Sequence, residues 1–175
     1  KRGVKATFFM LGVNAERYPK TAAQVAAAGH LIRNHSYGHK LLTLLSAKGV
    51  KDEIESGAKA IEAATGVYPG LVRPPYGGLS PTVLENLGAP AILWSVDVGD
   101  WEYTDAIYIR DATLKVVKDG DIILMHDSYA TSVEAALMII DELSDKGYAF
   151  VTVEELMEAR GVELEAGKKY FYARP

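Results

Sequence analysis

Two of the chain's four histidines, His35 and His39, stand four residues apart in Asn34-His35-Ser36-Tyr37-Gly38-His39. On a helix or a tight helical turn, positions i and i+4 share a face, so both imidazoles can reach one divalent ion. A closed structural zinc site needs two further ligands, usually thiolates, and the chain has no cysteine. The pair therefore points to an open, catalytic site completed by another protein ligand and a water. An ordinary solvated helix also carries histidines at this spacing, so the spacing alone does not decide. His126 ends the apolar run Ile122-Ile123-Leu124-Met125 and is partly desolvated there. A neighbouring carboxylate such as Asp100 would hold it in one tautomer, which suits a general acid; the alternative is a core histidine donating to a main-chain carbonyl. Arg73, between a buried strand and a proline-rich loop, calls for an acidic partner, in a structural salt bridge or as the group that orients a catalytic carboxylate. Asp97 reads as a cap for the loop that it begins. Trp94 reads as core, and Trp101 as either core or a wall on which a sugar stacks.

These residues fall at the ends of regularly alternating elements. Residues 4–11 read as a buried strand, and 15–28 as an Ala-rich helix with Pro19 in its first turn and Gly29 at its C-cap. A short strand at 31–32 leads into the histidines. Ser46 is placed to cap the next region, whose helix runs over 50–65 and stops at Gly66. Gly70-Leu71-Val72 runs into the rigid Arg73-Pro74-Pro75-Tyr76-Gly77-Gly78 loop, and Ser80-Pro81 opens another helix. Strands follow at 91–96, 121–125 and 149–153, and helices at 106–117, 131–145 and 154–160. The tail, 161–175, reads as an edge segment. Six strand–helix units in alternation, with near-continuously apolar strands, predict an α/β fold around a parallel sheet buried on both faces. His35, Arg73, Asp97, Asp100 and His126 all lie just past the C-terminal ends of expected strands, the rim on which α/β proteins build active sites.

Composition narrows the function classes. A chain of 175 residues, 49% hydrophobic and 24% charged, is expected to form one compact domain, 1–175. A net charge of -4 without dense Lys/Arg runs argues against a nucleic-acid partner. No stretch approaches the roughly 20 apolar residues of a membrane span.

Taken together, four stretches resemble the polysaccharide deacetylases of carbohydrate esterase family 4, the NodB-homology domain. His35-Ser36-Tyr37-Gly38-His39 is similar to its H-S/T-x-x-H motif, Arg73-Pro74-Pro75-Tyr76-Gly77 to R-x-P-Y-G, Asp97-Val98-Gly99-Asp100-Trp101 to D-x-x-D-W, and Leu124-Met125-His126 to L-x-H. The matches occur in the family's order over nearly the whole chain. The resemblance implies a distorted (β/α)7 barrel and a divalent metal, zinc first, with cobalt or nickel as alternatives. It implies that His35 and His39 bind the metal, with Ser36 bracing their loop, and that the Tyr76 backbone N–H holds a developing oxyanion. His126, tuned by Asp100, would protonate the leaving amine, Arg73 would orient the catalytic carboxylate, and Trp101 and Leu124 would wall the acetyl pocket.

The family's first motif, T-F-D-D-G, which supplies the base and the third metal ligand, is not matched, and no Asp-Asp pair occurs in the sequence. The expectation is a catalytic domain whose first strand and N-terminal segment lie outside this chain, present as a separate fragment or lost. The activity implied is removal of N-acetyl groups from N-acetylglucosamine in a cell-wall glycan. Peptidoglycan is preferred because Asp119 to Asp127 and the tail from Gly161 to Tyr172 look like bacterial peptidoglycan deacetylases; chitin oligomers and acetylated xylan are the alternatives. The expected location is extracellular or cell-wall associated in a bacterium. The rival readings are a catalytically inactive glycan-binding domain and a fragment that cannot fold alone.

Overall fold

The computed structural model describes residues 2–175, which divide into two compact units. The first comprises Lys5–Leu93 and Val162–Tyr170; the second comprises Trp94–Gly161 with residues 2–4 and Phe171–Pro175.

In the first unit, β1 (Thr7–Met10) and β2 (Leu31–Asn34) pair in parallel, Thr7 opposite Leu31 through Met10 opposite Asn34. Single parallel bridges carry the pairing from Asn34 to Val72 and from Val72 to Ala91. There β3 (Ala91–Ile92) pairs in parallel with β4 (Lys169–Tyr170), the stretch of the tail that joins this unit's pairing. The helix expected over 15–28 is instead two, α1 (Gly12–Arg17) and α2 (Pro19–Ala27), parted at Tyr18. The cause is Pro19, which has no N–H to continue a helix and drives the residue before it out of helical backbone. Helix α3 (Ala47–Thr65) is capped by the Ser46 hydroxyl and ends on a left-handed Gly66, as its sequence dictates. Val50, Ile54, Ala58 and Ile61 form its buried stripe, and Ile61 with Ala60 packs against Ala15, Ala22 and Ile32. Helix α4 (Pro81–Asn86) starts on Ser80 and Pro81 as expected.

The second unit holds α5 (Ala106–Val116), α6 (Ala130–Asp145) and α7 (Val153–Ala159). Ala106, Ile109 and Ala135 form a core to which Val98, Met125 and Met138 contribute. Asp105 caps α5 through the Ile107 and Tyr108 N–H groups, and Thr152 with Glu155 forms a reciprocal capping box on α7. The strands expected at 91–96 and 121–125 leave here two isolated bridges, Val96 to Ile123 in parallel and Asp121 to Tyr172 antiparallel, and 149–153 forms none. Apolar runs report burial, which Val96, Ile122 and Leu124 show, but do not by themselves fix a continuous ladder.

The α/β class is therefore observed, while the strand pairings among the described residues do not close a barrel. No helix among the described residues is long and apolar enough to cross a membrane.

Candidate active site

In the first unit, the end of β2 feeds directly into the two histidines. His35 N–H still bonds to Met10 across the ladder, at 2.9 Å, and beyond it the chain leaves regular structure. The pair is carried by a loop, not the helical turn that its spacing allows: Ser36 (φ 68) and His39 (φ 62) both occupy left-handed backbone. Residues with a Cβ reach that region only where their surroundings hold them. The holding contacts come from three sides. The first N–H groups of α1, on Gly12 and Val13, donate to the carbonyls of Ser36 (2.9 Å) and Tyr37 (3.1 Å). The buried Ser36 hydroxyl accepts from His39 N–H at 3.1 Å. On α3, the buried Glu53 accepts from the Gly38 N–H at 2.9 Å and pairs with Lys40 at 2.7 Å. The loop thus folds back on itself, and the two imidazole centroids lie 4.9 Å apart.

The His35 Nδ1 lies 2.6 Å from the main-chain oxygen of Arg73. A carbonyl only accepts, so Nδ1 carries the proton and Nε2 presents its lone pair, the arrangement metal-ligating histidines use. His39 Nδ1 meets the Tyr76 hydroxyl at 3.2 Å, with the rings 4.6 Å apart. Tyr76 itself sits at φ 60 between the prolines and glycines of its loop, its side chain exposed. No group of three or more His, Asp or Glu able to hold a metal occurs among the described residues, so the pair fits a divalent ion as two donors of a larger set.

Arg73 is buried in the same unit. Its guanidinium donates to the main-chain oxygens of Ile92 (3.2 Å) and Leu93 (3.1 Å) and lies 4.2 Å over the Phe9 ring. Burial pushes its pKa down to about 10.

In the second unit, Asp100 is fully buried and both its carboxylate oxygens meet His126: Oδ1 faces His126 Nδ1 at 2.8 Å, and Oδ2 accepts the His126 N–H at 2.8 Å. Burial alone would raise the Asp100 pKa; hydrogen bonds from His126 and Ser132 outweigh it and hold the carboxyl below its ordinary value. An ionised Asp100 requires a proton on Nδ1, so the half-exposed ring offers Nε2 to its surroundings. Trp101 is 49% exposed beside Asp100, Leu124 is buried, and Asp97 caps its own loop through the Gly99 N–H. His35, His39, Arg73 and Tyr76 thus assemble in the first unit, and Asp100, Trp101, Leu124 and His126 in the second. Sequence reasoning missed Glu53 and the wholly buried Asn34, whose Nδ2 donates to Ile54 at 2.8 Å. Glu53's helical position within the apolar stripe of α3 was the available signal.

Residues 1–92 match the family described as polysaccharide deacetylase. The chain is 38% identical over 171 residues to the peptidoglycan-N-acetylglucosamine deacetylase PgdA of Listeria monocytogenes, covering 98% of this chain and 36% of the relative. It is 41% identical over 155 residues to the peptidoglycan-N-acetylmuramic acid deacetylase PdaC of Bacillus subtilis, covering 89% of this chain and 33% of the relative. The chain therefore spans about a third of the length of these curated relatives. Among solved structures, a family 4 acetyl xylan esterase from Clostridium thermocellum in complex with a cobalt ion superposes with a TM-score of 0.92 at 28% identity, over 99% of this chain and 88% of that one.

Proposed function

The chain belongs to the polysaccharide deacetylase family, and on that premise we propose that it takes part in metal-dependent hydrolysis of N-acetyl groups on N-acetylglucosamine residues of peptidoglycan. The observation that carries this reading is the orientation of His35, whose Nδ1–H is committed to the Arg73 carbonyl, so that Nε2 carries the lone pair a metal would meet. When bound, a divalent ion at His35 and His39 supplies Lewis acidity toward the acetamide carbonyl. Zinc is the first choice, and the cobalt-bound relative supports cobalt as a substitute.

The chain's own residues have separable tasks. Water adds to the acetamide carbon, the C–N bond breaks, and acetate and a free amine leave. His126 delivers a proton from Nε2 to the departing nitrogen, and the Asp100 carboxylate stabilises the ring's positive charge before transfer. The Tyr76 N–H donates to the developing oxyanion, on a loop stiffened by Pro74 and Pro75. Trp101 and Leu124 wall the acetyl group, and Arg73 orients the carboxylate that acts as base. That base and the third metal donor are proposed to be the aspartates of the family's T-F-D-D-G motif, outside these 175 residues, in an intact (β/α)7 barrel at the bacterial cell wall.

The test is acetate release by the protein as isolated, with zinc and after chelation, on peptidoglycan, chitin oligomers and acetylated xylan. Denaturing mass spectrometry of the same sample establishes whether a polypeptide with an Asp-Asp pair accompanies the 19.0 kDa chain. Zinc-dependent release of glucosamine amines from peptidoglycan supports the proposal; release from xylan alone overturns its substrate. No release with such a polypeptide present overturns hydrolysis.

A further inference from the structure

The histidine loop is strained, and it is held by both main-chain and side-chain groups. Ser36 and His39 are left-handed, and α1 holds Ser36 and Tyr37 through N–H groups that any residue would supply. On α3, the side chain of Glu53, which is 6% exposed, takes hold of the loop's backbone. Its Oε2 accepts the Gly38 N–H at 2.9 Å, its Oε1 pairs with Lys40 at 2.7 Å, and its main-chain oxygen accepts the Tyr37 N–H at 3.1 Å. One residue therefore grips the chain immediately before His39 and immediately after it. A carboxylate is costly to bury, and this one is positioned to do more than stabilise packing. Gly38 has room for a Cβ, with the Glu53 oxygens 3.7 and 3.8 Å from it, so the close approach is made by the carboxylate reaching out and not by crowding.

We propose that Glu53 is a positioning residue for the His35–His39 pair, fixing the direction of the His39 imidazole by holding the Gly38 N–H before it, with Lys40 as the counter-charge of the buried carboxylate. This rests on the reading that the pair takes a divalent cation. The clamp lies outside the H-x3-H motif and acts through geometry. Reach should then matter more than charge.

Two conservative variants separate those alternatives. Glu53→Gln keeps an oxygen at the right length for the Gly38 N–H and gives up the pairing with Lys40, whose side chain is 62% exposed and can turn to solvent. Glu53→Asp keeps the charge and withdraws it by one methylene. Zinc is titrated calorimetrically into the unaltered chain, E53Q, E53D, E53A and a His35→Ala control. Amide exchange of Gly38 is followed by NMR without metal, and near-UV circular dichroism confirms folding. The expected result is a zinc Kd raised about 10- to 100-fold in E53D and E53A, with E53Q retaining most of the affinity. Gly38 exchange should accelerate in E53D and E53A alone.

Unaltered zinc affinity in E53D overturns the proposal, as does equal loss in E53Q and E53A, which would assign the effect to charge. If E53A does not fold, E53Q and E53D still decide. Equal zinc binding by the unaltered chain and H35A would instead overturn the reading of the histidine pair. Gly38 exchange in the metal-free chain would then report by itself whether Glu53 holds the loop.

Discussion

Replacing Asp100 with asparagine keeps the size of the side chain and removes its charge, and the buried geometry sets what must follow. Both carboxylate oxygens accept from His126, one from the ring and one from the main chain, each at 2.8 Å. An asparagine has a single acceptor oxygen; with that oxygen on the His126 N–H, its NH2 faces ring Nδ1, which then accepts only in the tautomer that carries its proton on Nε2. Two hydrogen bonds to a charged group, about 1.5–3 kcal/mol each, become two to a neutral amide, about 0.5–1.5 kcal/mol each, so a loss of about 2–4 kcal/mol is expected. For a chain of this length that lowers Tm by roughly 5–15 °C. The sign with pH follows from the depressed Asp100 pKa: its stabilisation is complete above the ordinary carboxylate value, about 4, and is lost as pH falls through the still lower folded value. Urea unfolding of the two proteins between pH 2.5 and 7 should show a gap that is widest at neutral pH and narrows in acid. A gap that stays constant across that range would refute the argument, because the contribution would then owe nothing to ionisation.

Gly57 on α3 lies where an added Cβ would sit 2.5 Å from Asn34 Oδ1 and 2.8 Å from the Ser36 main chain, so Gly57→Ala should destabilise by about 1–3 kcal/mol in urea unfolding and weaken zinc binding as the histidine loop shifts. Thr152→Ala removes half of the α7 capping box and should cost about 1 kcal/mol in the same measurement, leaving zinc binding unchanged. Arg73→Met loses two donations to main-chain carbonyls and the stack on Phe9; a fall of about 2–4 kcal/mol is expected, and a thermal midpoint equal to the unaltered chain's would show that those contacts contribute nothing. Zinc at 100 times its Kd should raise stability by about 2.7 kcal/mol, and the rise should vanish in His39→Ala.

Local signals carried far in this chain. Ser46 and Gly66 marked both ends of α3, Ser80 and Pro81 marked α4, and His35 and Arg73 follow paired backbone at Asn34 and Val72, whereas the runs before Asp100 and His126 are only partly buried and make isolated bridges. The misreadings share a cause. The break at Tyr18 depends on where Pro19 sits within the helix, which an apolar pattern continuing across it concealed. The backbone of the histidine loop depends on Gly12, Val13 and Glu53, residues distant in sequence, and no local rule assigns positive φ to Ser36 or His39. The Asp100–His126 contact was legible only as a candidate, because a carboxylate can cap a turn as readily as hold an imidazole.

The pairing of β3 with β4 has a consequence for how the protein is made. Synthesis delivers Ala91 and Ile92 long before Lys169 and Tyr170, with every residue of the second unit but a few emerging in between. During that interval β3 is a bare edge, its N–H and C=O groups open to any passing strand. Completing it is a high-contact-order event that waits for Lys169 and Tyr170. The nascent polypeptide is therefore most vulnerable to misassociation between the emergence of β3 and that of β4, and shielding by a chaperone would matter most in that window.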